Sequence, residues 1–305
     1  MTTLTTFKPF KHSRIRWSLV LLVCIVLVVL LKLISPLNAQ SENPLPPFSD
    51  KVASNLKTIA MIGQARGNYP DVFTKVGDSI TVNDRFLYAI GNGTYQLGDA
   101  SYLQPVINAF LQTPVRNGNS FNNPSVAAYV GWAAYSALSP NAADPYQCQA
   151  GESPLICEYR ITQPSIAFIM FGTNDLGYRT QDEYRHDMQT ILDTSMEMGV
   201  IPVLSTIPAQ PLKMDRVSAF NTILRDMAAN NNLPIIDFAP ALTDLPNTGL
   251  AWDNLHPSWP PGDEDQVAYF TPDNLRYGYT VRNLLTLQML DRIWQTLKPA
   301  PERSM

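Results

Sequence analysis

The sequence predicts an α/β fold built on a parallel sheet covered on both faces. Three observations carry that expectation. Short apolar runs rich in β-branched and aromatic residues recur at 71–76 ("DVFTKV"), 113–117 ("TPVRN"), 165–171 ("SIAFIMF"), 200–207 ("VIPVLSTI") and 233–238 ("LPIIDF"). Strands buried on both faces read as near-continuous apolar runs of this kind rather than as alternating ones. Helical stretches separate several of them, as crossover connections between parallel strands require. With 305 residues, 45% of them hydrophobic, the chain can bury one substantial core.

The first forty residues read as targeting sequence. Lys8, Lys11, Arg14 and Arg16 precede the apolar run "WSLVLLVCIVLVVLL" at 17–31, a charged region followed by a hydrophobic one. Residues 1–39 therefore read as a signal peptide cut after Ala39, or as an N-terminal membrane anchor if "LKLI" prolongs the span and Lys32 snorkels. Either way, positive charge before the span sends the remainder outward, so the expected location is extracytoplasmic, secreted or anchored on the outer face of the plasma membrane. Residues 40–49, rich in Pro, Ser and Asn, read as a linker, 50–298 as the folded domain and 299–305 as a tail.

Within the domain, Val52, Leu56, Ile59, Ala60 and Ile62 fall near helical spacing and predict an opening helix over 50–64. Further helices are expected over 181–198, 213–231 and 274–297. Cys148 and Cys157 are the only cysteines of the exported part, and in an oxidising compartment they predict a disulfide. Two cysteines without a nearby histidine cannot supply four zinc ligands. A net charge of −4 and a pI near 5.4 lack the clustered cations that nucleic-acid binding needs.

In an open parallel α/β sheet ligands bind beyond the carboxyl ends of the strands. There the chain places "GDS" after the first run, "RNGNS" after the second, "GTND" after the third and "WDNLHPS" beyond the last. Of three histidines, His12 lies in the basic leader and His186 on a charged helix face, which leaves His256. Asp253 precedes it by three residues, so one loop can supply a carboxylate to hold Nδ1–H and an imidazole whose Nε2 takes a proton from a hydroxyl. Ser79 offers that hydroxyl, and equally suits a helix start, where Asp78, Ser79 or Thr81 can cap; Thr81 and Asp84 match the [ST]-x-x-[DE] capping box. Backbone N–H groups at Ser79 and Gly118 and the side-chain amide of Asn174 can serve as donors to an oxyanion.

"GDSIT", "FGTND" and "DNLHP", in that order, resemble three of the four sequence blocks of the SGNH hydrolases, the GDSL esterase/lipase family. The resemblance implies a flavodoxin-like three-layer α/β/α sandwich with a parallel sheet of about five strands. It makes Ser79 the nucleophile, His256 the general base, Asp253 its orienting partner, and Ser79, Gly118 and Asn174 the oxyanion hole. The glycine block around Gly118 matches only loosely. A stretch inserted after "HPS", with Trp252, Trp259, Tyr269 and Phe270 in or beside it, reads as a lid or aromatic substrate wall, with Trp252 and Trp259 lining the substrate, or as loop aromatics packed on the domain.

The function expected is an exported serine esterase that forms an acyl-enzyme on a small-molecule or polysaccharide ester, a carbohydrate O-acetylesterase or a lipase or arylesterase, without cofactor or metal. An O-acyltransferase, or a non-catalytic envelope binding domain that keeps the fold, is the alternative. Absence of a G-x-S-x-G elbow argues against an α/β-hydrolase.

Overall fold

The computed structural model describes residues 43–298. The expected leader and the tail at 299–305 lie outside the described residues, among which no helix is long and apolar enough to cross a membrane. Four of the five apolar runs form strands: β1 (Tyr69–Gly77), β2 (Pro164–Met170), β3 (Ile201–Ser205) and β4 (Ile235–Ile236). They pair in parallel in the order β1-β2-β3-β4. Every residue of β2 and β3 is buried, which is why these segments carry no polar alternation.

The fifth run, "TPVRN", is not a strand. Pro114 has no N–H to give to a ladder, and Val115 and Gly118 close a tight turn by exchanging backbone hydrogen bonds of 2.9 Å around Arg116, whose φ is +46°. Beyond β1, the position is taken by a single parallel bridge between Gly77 and Ala128. The sheet therefore has four strands and this bridge.

The longer helices are α1 (Asp50–Arg66), α3 (Gln104–Phe110), α4 (Pro154–Thr162), α6 (Gln181–Glu197), α7 (Met214–Asn230) and α8 (Gly278–Leu297); α2 (Ser79–Val82) and α5 (Asp175–Tyr178) are single turns that follow β1 and β2. Their ends follow from local chemistry. Ser49 caps α1, which stops at Gly67 in the left-handed conformation. Thr180 and Glu183 form a capping box at the start of α6. α6 and α7 pack together, and α8 packs on both α1 and α3.

Two aromatic centres fill the core. Phe73 meets Phe110, Phe121 and Phe168 at ring separations of 5.8, 5.0 and 5.4 Å. Tyr184 stacks on Phe220 at 4.3 Å, and its hydroxyl donates to the carbonyl of Phe171.

The expected linker is tied down from Asn43 onward. The Asn43 amide donates to Gln288 O and Asp291 Oδ2, Arg292 donates to Leu45 O, and Leu45 and Phe48 pack on the core. Composition indicated a tether here because none of these partners is close in sequence. Cys148 and Cys157 form the expected disulfide. Glu152 lies close to both sulfurs, but their bond to each other leaves no thiolate for a metal.

Phe220→Ala removes a fully buried ring and leaves Tyr184 without its stacking partner. The variant is expected to lose about 3–5 kcal/mol of stability, read as a lower urea midpoint. Reduction of the folded domain should add two hydrogens to its mass, one on each sulfur of Cys148 and Cys157, and an unchanged mass would contradict the pairing.

Candidate active site

β1 and β2 end in register, Gly77 opposite Met170, so the turns that follow them emerge side by side. A Cβ on Gly77 would lie 2.4 Å from Thr81 Oγ1 and 2.6 Å from Met170 O, and only glycine lets the chain fold back this tightly. Asp78, buried, is the N-cap: its Oδ1 accepts from Ile80 N at 3.0 Å. Ser79 is thus the first residue of α2, where its N–H has no intrahelical acceptor. The capping box at Thr81 does not form; Thr81 Oγ1 instead accepts from Arg282 at 2.9 Å.

The loop before α8 carries the other two groups. A bridge between Leu250 and Pro257 closes it, with Ala251 N donating to His256 O at 2.8 Å. Asp253 Oδ1 accepts from the backbone N–H groups of Leu255 and His256, both at 3.0 Å, and its Oδ2 meets His256 Nδ1 at 2.6 Å. On the other side of the ring, His256 Nε2 lies 2.9 Å from Ser79 Oγ. With Nδ1–H donated to the carboxylate, the Nε2 lone pair faces the serine. Partial burial raises the Asp253 pKa, but hydrogen bonds from the His256 ring and from the N–H groups of His256 and Leu255 outweigh it and hold the carboxyl below its ordinary value.

α8 holds both halves of this arrangement. Ser258, two residues after His256, accepts from Tyr279 N through its carbonyl and from Gly278 N through its hydroxyl. Tyr279 Oη and, one turn on, Arg282 Nη1 donate to Ile80 O at 3.2 and 2.6 Å. The serine's helix and the histidine's loop are therefore fixed to the same few residues.

Asn174 follows β2 and starts α5. Its Nδ2 donates one hydrogen to Trp132 O at 2.8 Å, which orients the amide and leaves the second hydrogen free.

A model of the GDSL-like lipase/acylhydrolase family matches residues 76–259 of the chain. The chain belongs to that family. As a GDSL-like acylhydrolase it is an ester hydrolase of the serine type. Among solved structures it is similar to a lipase/acylhydrolase from Enterococcus faecalis, with 21% identity and a TM-score of 0.47, covering 75% of this chain and 98% of that one. It is also similar to the acetylxylan esterase Axe2 from Geobacillus stearothermophilus (catalytic mutant), with 17% identity and a TM-score of 0.45, covering 72% and 93%. No curated protein matches it.

Within this acylhydrolase, one expectation needs correction. Gly118 does not offer its amide to the site, because its N–H donates to Val115 O at 2.9 Å; glycine is required there because a Cβ would lie 2.3 Å from Asn122 Oδ1. The site contains a different glycine, Gly131. Tyr129 N donates to Gly77 O, and two residues later Gly131 turns the chain with φ +80° towards Trp132, the acceptor of Asn174. Among the described residues the Gly131 N–H has no hydrogen-bond partner. The only local trace is "VAAYVG", an apolar run ending in glycine, which does not by itself distinguish Gly131 from the chain's other loop glycines.

The inserted stretch is packed rather than a free lid. Gln96 and Tyr269 form a bridge, Phe270 is buried, and Trp259 lies under the guanidinium of Arg85, which also pairs with Glu264. Trp259 is thus committed to that contact. Trp252, beside Asp253, is 87% exposed. His186 is exposed on α6, away from these groups.

Asp253→Asn removes the anion that orients the imidazole and is expected to lower kcat on the order of 10⁴-fold with little change in KM. The folded-state pKa of Asp253 lies below its unfolded value, so its stabilisation is present above the ordinary carboxylate range and is lost as pH falls through the folded pKa. In chemical denaturation the acid-side loss of stability should therefore be shallower in Asp253→Asn.

Proposed function

We propose that this acylhydrolase acts outside the cytoplasm and cleaves carbohydrate O-acyl esters through an acyl-enzyme on Ser79. The observation that carries the reading is the continuous contact from Asp253 through His256 to Ser79 Oγ, at 2.6 and 2.9 Å. His256 Nε2 takes the hydroxyl proton as Ser79 Oγ attacks the ester carbonyl, and returns it to the leaving alcohol. The developing oxyanion is met by the N–H groups of Ser79 and Gly131 and by the free hydrogen of Asn174 Nδ2. Water, activated by the same imidazole, then releases the acid.

Support for a sugar ester comes from the rim. Trp252 stands exposed beside Asp253, and on the loop of Gly131 the 62% exposed Tyr129 meets Trp132 at 5.8 Å with the rings tilted by 41°. Such flat apolar faces with wet edges suit sugar rings, and a quarter-exposed His256 admits a bulky alcohol. The basic and apolar leader and the disulfide support the location.

Purified protein should release p-nitrophenol from p-nitrophenyl acetate, and Ser79→Ala should reduce kcat by several orders of magnitude. Trp252→Ala should raise KM for acetylated xylan while leaving p-nitrophenyl acetate turnover nearly unchanged. Equal activity of wild type and Ser79→Ala would eliminate the nucleophile assignment, and folded protein inactive on a broad ester panel would favour a binding domain.

A further inference from the structure

The segment at 124–131 reaches the site without being a strand. It is tied to the sheet around Gly77, by hydrogen bonds from Gly77 N to Ala127 O and from Tyr129 N to Gly77 O, both 3.2 Å. That is the long end of the N–H···O range, and a segment held by so few backbone bonds opens locally unless side chains fasten it. Two charged side chains that the proposed reaction does not use meet it from behind, Glu158 of α4 and Arg116 of the "TPVRN" turn.

Glu158 is fully buried. Its Oε1 accepts from Thr74 Oγ1 of β1 at 2.5 Å, and its Oε2 accepts from Val126 N at 2.8 Å. One carboxylate thus clasps the strand that ends at Gly77 to the segment that runs on to Gly131. Arg116 adds a second tie: its Nη1 donates to Pro124 O at 2.8 Å and lies 3.7 Å from Glu158 Oε2, while its Nη2 donates to Gln147, the neighbour of Cys148. The turn expected to supply a donor through Gly118 therefore supplies Arg116 to this frame. α4 is anchored on both sides of Glu158, by the disulfide at Cys157 and by Tyr159 Oη, which meets Ser195 Oγ of α6 at 2.8 Å. A buried carboxylate is costly unless paired and hydrogen-bonded, and here both oxygens are engaged by the two segments they join.

We propose that Glu158 is a positioning residue for the oxyanion donors: it holds the 124–131 segment against β1 and so fixes where Gly131 turns. This rests on the reading above, in which the Gly131 N–H meets the oxyanion. The effect reaches a second donor, because Trp132, the residue after Gly131, gives the carbonyl that orients Asn174. Glu158 touches none of the reacting groups. Its influence passes through the backbone from Val126, past the two hydrogen bonds at Gly77, to Gly131. Donors that are fixed before the reaction stabilise developing charge far better than donors that must be brought into place during it.

Amide hydrogen exchange of the full chain, resolved by residue with NMR and needing no substrate, reads the clasp. In Glu158→Ala the N–H of Tyr129, which Glu158 does not touch, should exchange about tenfold faster or more, while the amides of β3, beyond β2, keep their wild-type rates. Thr74→Val suits a strand and opens the clasp from its other side, so it should show the same pattern even if Glu158→Ala does not fold. On p-nitrophenyl acetate both variants should lower kcat about tenfold or more at nearly constant KM, within the ~10²–10³-fold lost with a whole oxyanion donor. Glu158→Gln should return both readouts close to wild type, because its amide oxygen accepts from Val126 N and its NH₂ donates to Thr74 Oγ1. Unchanged exchange at Tyr129 in the folded variants, faster exchange at every amide alike, or a raised KM with kcat intact would overturn the inference. Exchange requires no turnover, so a wild type inactive on every ester would count against the proposed reaction and leave the clasp to be decided by Tyr129.

Discussion

The Arg282 side chain ties α8 to the turn of helix that follows the first strand. Its guanidinium, buried from water, donates to Ile80 O and Thr81 Oγ1 and rests 3.6 Å from the centroid of Phe86. Desolvation lowers its pKa to about 10, which still leaves it charged at neutral pH. A buried cation is retained when its donors are satisfied and an anion is near; Ile80, Thr81 and Asp78 meet those conditions, and all three belong to the turn of Ser79. Because the same helix begins on Ser258, the distance from Ser79 to His256 is set by α8 rather than by either loop alone.

A second constraint lies in the sheet. Parallel strands in register place all their outgoing turns at one end, and the Gly77 to Met170 pairing brings Ser79 and Asn174 out next to each other. The bridge from Gly77 to Ala128 delivers Gly131 to the same place. Groups from four distant parts of the sequence meet there without any of them needing a long excursion.

The proposed nucleophile, its base and its carboxylate were legible in the sequence because each is set by local chemistry. Asp253 reaches His256 within one turn, Pro257 leaves the histidine extended, and Asp78 is a cap wherever a helix follows. Asn174 was legible because it ends a strongly apolar run. Gly131 was not, because its position depends on one bridge to Gly77, a long-range pairing that leaves no periodicity. "TPVRN" has the composition of a strand, but the fold needs only a turn there. For Trp259 the sequence left a substrate wall and a packed loop aromatic both open, because its partner Arg85 lies more than a hundred residues earlier in the chain.

Covalent trapping at the serine tests the central claim most directly. A fluorophosphonate ester needs only an activated nucleophile and no knowledge of the natural substrate. Peptide mass spectrometry of the treated protein should find one phosphonylated residue, Ser79, with labelling slowed by orders of magnitude in His256→Ala. Modification at a different residue, or labelling of Ser79 at an unchanged rate without His256, would contradict a serine activated by the imidazole 2.9 Å away.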